Sequence, residues 1–256
     1  MEYIVFILAG FVTGIITGLV GASAIVAFVP IIILFFNYDP FTIIGISLAV
    51  DVFISLSALI IYKKFHHIDF KTGFYLSILA IIGAILGSYF SKFIPDTKLI
   101  AIGALFTVLT GVIIFRRKVS SKEVHIFKDY GKLKFVFAMI LSFFIGLLGG
   151  GFGAAGGVSI LLLLVFLLNF ETHYAIGTSI FVMFFIALFG SISHFYYLNP
   201  IEFQWILLLF AVVGGVLGSL FSSKLTNAIN EKYLNRIVGL ILIALGILTF
   251  FYKVLV

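Results

Sequence analysis

The sequence predicts an all-α, polytopic helical membrane protein of two five-segment repeats, inverted relative to each other, with broken or re-entrant first helices. Composition is the first observation. Of 256 residues, 63% are hydrophobic and only 10% charged, whereas soluble domains carry roughly 25% charged residues, so a water-facing surface cannot be made from this chain. The second is a series of apolar stretches divided by turn residues along the whole length. The third is internal repetition. At an offset of 132, Phe11, Gly14, Gly18, Gly21, Ala22, Asn37, Gly45, Ser47, Phe53 and Ile54 meet identical residues.

The first repeat (1–115) divides into segments 4–20, 24–36, 42–62, 73–94 and 98–115. Asn37-Tyr-Asp-Pro40 and Ile94-Pro-Asp-Thr97 supply turns, with proline at the helix boundaries. The second repeat (135–256) divides into 135–149, 154–168, 173–197, 203–223 and 233–252, with Leu198-Asn-Pro200 as a loop. Segments three to five of each half are long enough to cross a hydrocarbon core of roughly 30 Å. Segment 24–36 spans only about 20 Å at about 1.5 Å per residue. The first segment lacks a basic flank and a small-residue cleavage site, so it reads as a membrane segment rather than a removable signal.

Charge orients the chain. Residues 116–134 carry seven Lys/Arg against Glu123 and Asp129, five of the six net positive charges. Lying between two apolar blocks, this connector reads as a cytoplasmic loop by the positive-inside rule, not as a nucleic-acid site. If segments one and two of each half make no net crossing, the repeats are inverted. Then 13 of 16 Lys/Arg lie inside; a parallel arrangement leaves 11. Inversion is therefore expected, in a plasma (inner) membrane protein whose partners are the lipid bilayer and a small anion. A homodimer is compatible with the sequence, which carries no signature of one.

Two glycine clusters interrupt the segments where lipid-facing helix should run unbroken. They are Gly18-Leu-Val-Gly21-Ala22-Ser23 and Gly150-Gly-Phe-Gly153-Ala154-Ala155-Gly156-Gly157. Unpaired backbone in hydrocarbon costs several kcal/mol, so such breaks belong in protein or beside a polar cavity. Where a helix restarts, free N–H groups and the helix dipole favour an anion without any Lys or Arg. Gly18, Gly21, Ala22, Ser23, Gly150, Gly153, Ala154 and Gly156 are the expected backbone contacts. Gly83-Ala-Ile-Leu-Gly87, by contrast, reads as helix packing.

Ser47, Thr178 and Ser179 open the third segments as Gly45-Ile-Ser47 and Gly177-Thr178-Ser179. Their hydroxyls either face the same cavity or bond back to a carbonyl one turn earlier. Asp51 is the ionisable residue clearly inside a span, and its repeat partner is Met183. It is a candidate to relay a proton, bind a coupling cation, or bond to a neighbouring helix. His194, near the end of a crossing segment, is a second coupling candidate. His66-His67 near Asp69 does not read as a metal site, because adjacent histidines point apart on a helix. With no cysteine, phosphate-binding loop, Ser-His-Asp set or metal motif, neither an enzyme nor a cofactor is expected.

In these duplicated glycine breaks, in the Gly-x-Ser starts at Gly45 and Gly177 and in its basic central loop, the chain resembles the sulfite exporter TauE/SafE family. That family is also grouped as the toluene-sulfonate uptake permeases. The resemblance covers nearly the whole length. It implies a permease for sulfite, sulfoacetate or another organosulfonate, without a bound cofactor. The first half departs from the glycine-rich form, with Ala22-Ser23-Ala24 against Ala154-Ala155-Gly156-Gly157. Alternating access would rock one half against the other. Two other readings stand beside this one: a transporter of a different solute with Asp51 as cation or proton site, and a non-transporting membrane scaffold subunit.

Overall fold

The computed structural model describes residues 1–116, 131–153, 156–197, 205–225 and 231–255. Ala154, most of the basic connector and the loop at Leu198-Asn-Pro200 lie outside the described residues. The helices are α1 (Glu2–Val20), α2 (Ile25–Phe35), α3 (Pro40–Lys64), α4 (Phe70–Ser91) and α5 (Asp96–Arg116). There follow α6 (Lys132–Phe152), α7 (Gly156–Leu162), α8 (Thr172–Tyr197), α9 (Trp205–Leu225) and α10 (Glu231–Phe250). Single π-helical turns, Leu163–Leu167 and Phe251–Leu255, continue α7 and α10. All but α2 and α7 are long and apolar enough to cross a membrane, eight helices in all among the described residues.

Local chemistry sets the ends. Asp39 caps α3 by accepting from Thr42 N at 2.8 Å, with Pro40 in the first turn. Asp69 caps α4 through Lys71 N and Thr72 N. At the C-termini of α1 and α6 the chain turns through left-handed glycines, Gly21 at φ 72° and Gly153 at φ 66°. A side chain is strained in that conformation, so glycine stops both helices at positions 132 residues apart.

Burial follows membrane logic. On α4 the exposed positions include Phe74, Ile78, Ile82 and Ile85, and the buried ones include Ser77, Ala80, Gly83, Ala84, Gly87 and Ser88. Hydrocarbon outside removes the usual drive to bury bulk, so small residues line the seams and let backbones approach. A Cβ at Gly10, Gly14 or Gly18 would run into Ala211, Gly215 or Ser222 of α9. These contacts ascend together, so α1 and α9 are parallel. Gly146 and Gly150 likewise face the backbones of Ala80 and Ala84, and α4 and α6 are parallel. Gly111 faces Gly239 and Ile243, while Gly246 faces Ala104 and Val108, which makes α5 and α10 antiparallel.

The central pair is α3 and α8. Phe41 at the start of α3 lies 4.3 Å from His194 near the end of α8, centroid to centroid. His67, just beyond α3, stacks at 5.2 Å on His173 at the start of α8. The two helices therefore run antiparallel. Within the first half, α1 and α2 form a hairpin: Phe6 packs on Phe28, and also on Phe36 and Tyr38 beyond the end of α2. Both open ends of this hairpin lie on one face.

The seams join the halves rather than separating them. α1 packs chiefly on α9, α4 on α6, and α5 on α10. The two halves are interleaved along these seams. The end of α6 differs from expectation. The sequence places its end at 149, yet the helix continues to Phe152. Gly149, Gly150 and Gly151 stay helical, and Gly150 and Gly151 are where the α4 backbone approaches.

Burial pushes the His67 imidazole below its ordinary range, and the neighbouring His173 adds to the shift. The fold thus favours neutral His67, while the unfolded chain takes up a proton near pH 6.5. The stability contributed by His67 should begin to fall as pH drops through about 6.5, and its loss should be complete below the lowered folded value. Thermal unfolding in detergent between about pH 7 and about pH 5 tests this. His67→Phe should lose the His67 contribution, leaving stability less sensitive to acid than in the parent; an unchanged slope would exclude that contribution.

Candidate functional site

Asp51 lies midway along the 25-residue α3 and is fully buried. Its Oδ2 accepts from Ser23 Oγ at 2.7 Å, and its Oδ1 from Ser55 Oγ at 3.4 Å. The backbone of Ala24 faces the same carboxyl group. Ser23 and Ala24 are the residues from which α2 restarts after the first break. The Asp51 side chain therefore meets the α2 N-terminus, where helix dipole and free N–H groups favour an acceptor. Sequence reasoning treated Ser23 and Asp51 separately; the fold joins them.

The two breaks meet. A Cβ at Gly157, in the first turn of α7, would run into the carbonyl of Gly21 and lie 2.9 Å from Ser23 N. It would also meet the Met183 sulfur, so the residue equivalent to Asp51 places a thioether, not a carboxyl, at the second break. Gly153 packs against the Ile25 side chain, and Gly156 lies beside Gly149. Gly18, Gly21, Ala22, Ser23, Gly150, Gly153 and Gly156 are all buried. Gly18 and Gly150 are helical and face the α9 and α4 seams.

The hydroxyls are placed differently from one another. Ser47 Oγ donates to Ile44 O at 2.8 Å and Ser179 Oγ to Ile176 O at 2.9 Å, the local back-bond. A Cβ at Gly21 would lie 3.3 Å from Ser179 Oγ, so Ser179 does border the first break. Thr178 Oγ1 accepts from Asp69 N at 3.0 Å and ties α8 to the α3–α4 turn.

His194 is fully buried, with Nε2 2.9 Å from Gly150 O. A carbonyl only accepts, which assigns the proton to Nε2. Ser88 Oγ reaches the same carbonyl at 3.1 Å. Sequence reasoning missed Tyr62, whose Oη donates to Gly18 O at 3.1 Å. The available signal was the repeat offset: Tyr62 and His194 are 132 residues apart, as are Gly18 and Gly150.

A family model described as sulfite exporter TauE/SafE matches residues 6–249. The chain belongs to that family. Among curated relatives, YunE of Bacillus subtilis (strain 168) is 24% identical, covering 96% of this chain and 96% of its own. YdhB of the same organism is 28% identical, covering 96% of this chain and 99% of its own. A relative from Xylella fastidiosa (strain Temecula1 / ATCC 700964) is 26% identical over 95% of this chain and 93% of its own. All three are described as probable membrane transporter proteins. No solved structure matches significantly. This TauE/SafE member is a multi-pass membrane transporter and not an enzyme.

Proposed function

We propose that the transporter carries a small oxyanion, sulfite or a short organosulfonate such as sulfoacetate, by alternating access to a site at the two breaks. The observation that carries this reading is the contact of Gly157 with Gly21 and Ser23, which joins a helix restart from each half. Backbone N–H groups there favour an anion without basic side chains. The sulfite class rests on the family description. Asp51 bonds directly to the α2 restart, whereas its repeat equivalent beside Gly157 is the thioether Met183; the anion is assigned to the second restart. Asp51 is the coupling group, as a proton or cation site beside the substrate.

Inverted repeats are part of the proposal. What supports them is the antiparallel course of two repeat-equivalent pairs, α3 with α8 and α5 with α10. Lys63, Lys64 and Lys71 belong to the face with the α3–α4 turn, which the positive-inside rule makes cytoplasmic. Lys253 Nζ bonds Asn37 Oδ1 and Lys92 lies over Tyr197, both on the opposite face.

Purified protein in liposomes should move sulfite or sulfoacetate down an imposed gradient. Ser23→Phe fills the junction with a bulky ring and should reduce flux to the rate of empty liposomes while the protein still elutes as a folded species. Unchanged flux in that folded variant would exclude the junction as the transport site.

A further inference from the structure

The hydrogen bonds of Tyr62 and His194 form a matched pair across the two halves. Tyr62 Oη donates to Gly18 O at 3.1 Å, and His194 Nε2 to Gly150 O at 2.9 Å. Donors and acceptors are each related by the repeat offset of 132, although tyrosine and histidine share no identity that would mark them. The acceptors lie in the last turns of α1 and α6, before the left-handed glycines stop those helices. Last-turn carbonyls are where side-chain donors from neighbouring helices commonly bond. In each half, the donor comes from the long crossing helix of that same half.

Two further facts give the pair a mechanical meaning. α3 and α8 run antiparallel, and both donors sit near the C-terminal ends of their helices. The Tyr62 bond is therefore displaced toward the face with the α3–α4 turn, and the His194 bond toward the face with the Phe41 end of α3. In addition, α1 is seamed to α9 and α6 to α4, while α1 packs much less on α3, and α6 less on α8. Each bond thus fastens a broken helix to a crossing helix at a contact narrower than its main seam.

We propose that Tyr62 and His194 are positioning residues acting as two latches, each closing the path from the glycine junction to one face of the membrane. This inference rests on the alternating-access reading. A site open to one face at a time needs one attachment released while the other holds. The two bonds supply such attachments on opposite faces. Ser88 Oγ, whose single proton is shared among Ala84 O at 2.9 Å, Gly150 O at 3.1 Å and Gly190 O at 3.3 Å, sits between α4, α6 and α8 and braces the His194 latch from α4.

The test exploits the absence of cysteine. Ala22→Cys places one thiol at the junction, and a membrane-impermeant maleimide is applied to right-side-out or inside-out vesicles. Tyr62→Phe should raise labelling from the face with the α3–α4 turn by roughly fivefold, the effect of one net hydrogen bond on a two-state equilibrium. His194→Phe should raise labelling from the opposite face. Tyr62→His, which restores an imidazole donor of the kind used in the other half, should return labelling toward the parent rate. A merely structural role would not give shifts of opposite sign. Shifts toward the same face in both variants, or changes below about twofold in both, would overturn the latches. If His194→Phe does not assemble, Ser88→Ala should shift labelling in the direction expected of His194→Phe, and no shift would count equally against the proposal. Labelling needs no substrate, so the two readings fail separately. A parent thiol that labels from one face only defeats alternating access. A thiol that labels from both faces but ignores the variants defeats the latches alone.

Discussion

Gly14→Ala should destabilise the protein by about 1–3 kcal/mol, the usual cost of overpacking, and Gly14→Leu should prevent assembly. The added Cβ would run into the carbonyl of Gly215 and lie 2.9 Å from Ser219 N, both backbone atoms of α9. Backbone cannot rotate away as a side chain can, so α1 and α9 must separate along their seam. In lipid, dispersion and close backbone approach hold such a pair, and no hydrophobic effect restores it. The Ser222 Oγ bond to Gly14 O at 3.3 Å is lost with the separation. Gly103→Ala is the control. A Cβ there meets nothing within 4 Å, so the change should be neutral or add up to about 1 kcal/mol of helix propensity. Thermal unfolding in detergent, followed by circular dichroism, reads both. Equal midpoints for Gly14→Ala and the parent would show that the α1–α9 seam has room for a methyl group at Gly14.

The same glycines show what the sequence can and cannot reveal. Gly21 and Gly153 were legible as breaks because each interrupts an apolar run, and both adopt the left-handed conformation that stops a helix. Gly18 and Gly150 belong to the same clusters but are helical seam residues. A glycine that breaks a helix and one that admits a neighbour look alike in sequence. The four-residue spacing of Gly10, Gly14 and Gly18 was the available signal for a seam. The partner of that seam was not available, since nothing local specifies that α1 chooses α9 over its neighbours in sequence. Interleaving is a tertiary fact, and it changes the mechanics. α1–α9 and α4–α6 each take one helix from each half, so any rigid body built on these seams contains both repeats.

The contact between Ser23 and Asp51 was illegible for the same reason. Each drew attention alone, one as a cap at a restarting helix and the other as a charge in a span. Their separation of 28 residues gives no periodicity that brings them together. Tyr62 was overlooked because a tyrosine beside Lys63 and Lys64 resembles an interfacial anchor. Only comparison with its equivalent, His194, distinguishes it.

Asp51→Leu should abolish transport, as completely as Ser23→Phe. The side chain is fully buried and accepts from Ser23 at 2.7 Å and Ser55 at 3.4 Å. Leucine leaves both hydroxyls without that acceptor and removes the group bonded to the restart of α2. Asp51→Asn separates shape from chemistry. Its amide oxygen can still accept from Ser23, so the fold should survive, but it can neither exchange a proton nor hold a cation as a carboxyl group does. Flux in Asp51→Asn should therefore lose its dependence on the coupling gradient while anion binding, read by thermal shift, persists. A double-mutant cycle of Asp51→Ala and Ser23→Ala, each of which removes the Ser23–Asp51 hydrogen bond, measures it, and a coupling of about 1–3 kcal/mol is expected for a buried pair that includes a carboxyl group. Retained gradient-driven flux in Asp51→Asn would remove Asp51 from coupling and leave it as the cap of α2. Loss of anion binding together with flux would instead place the substrate at the first break, against the assignment to the second made on the basis of Met183.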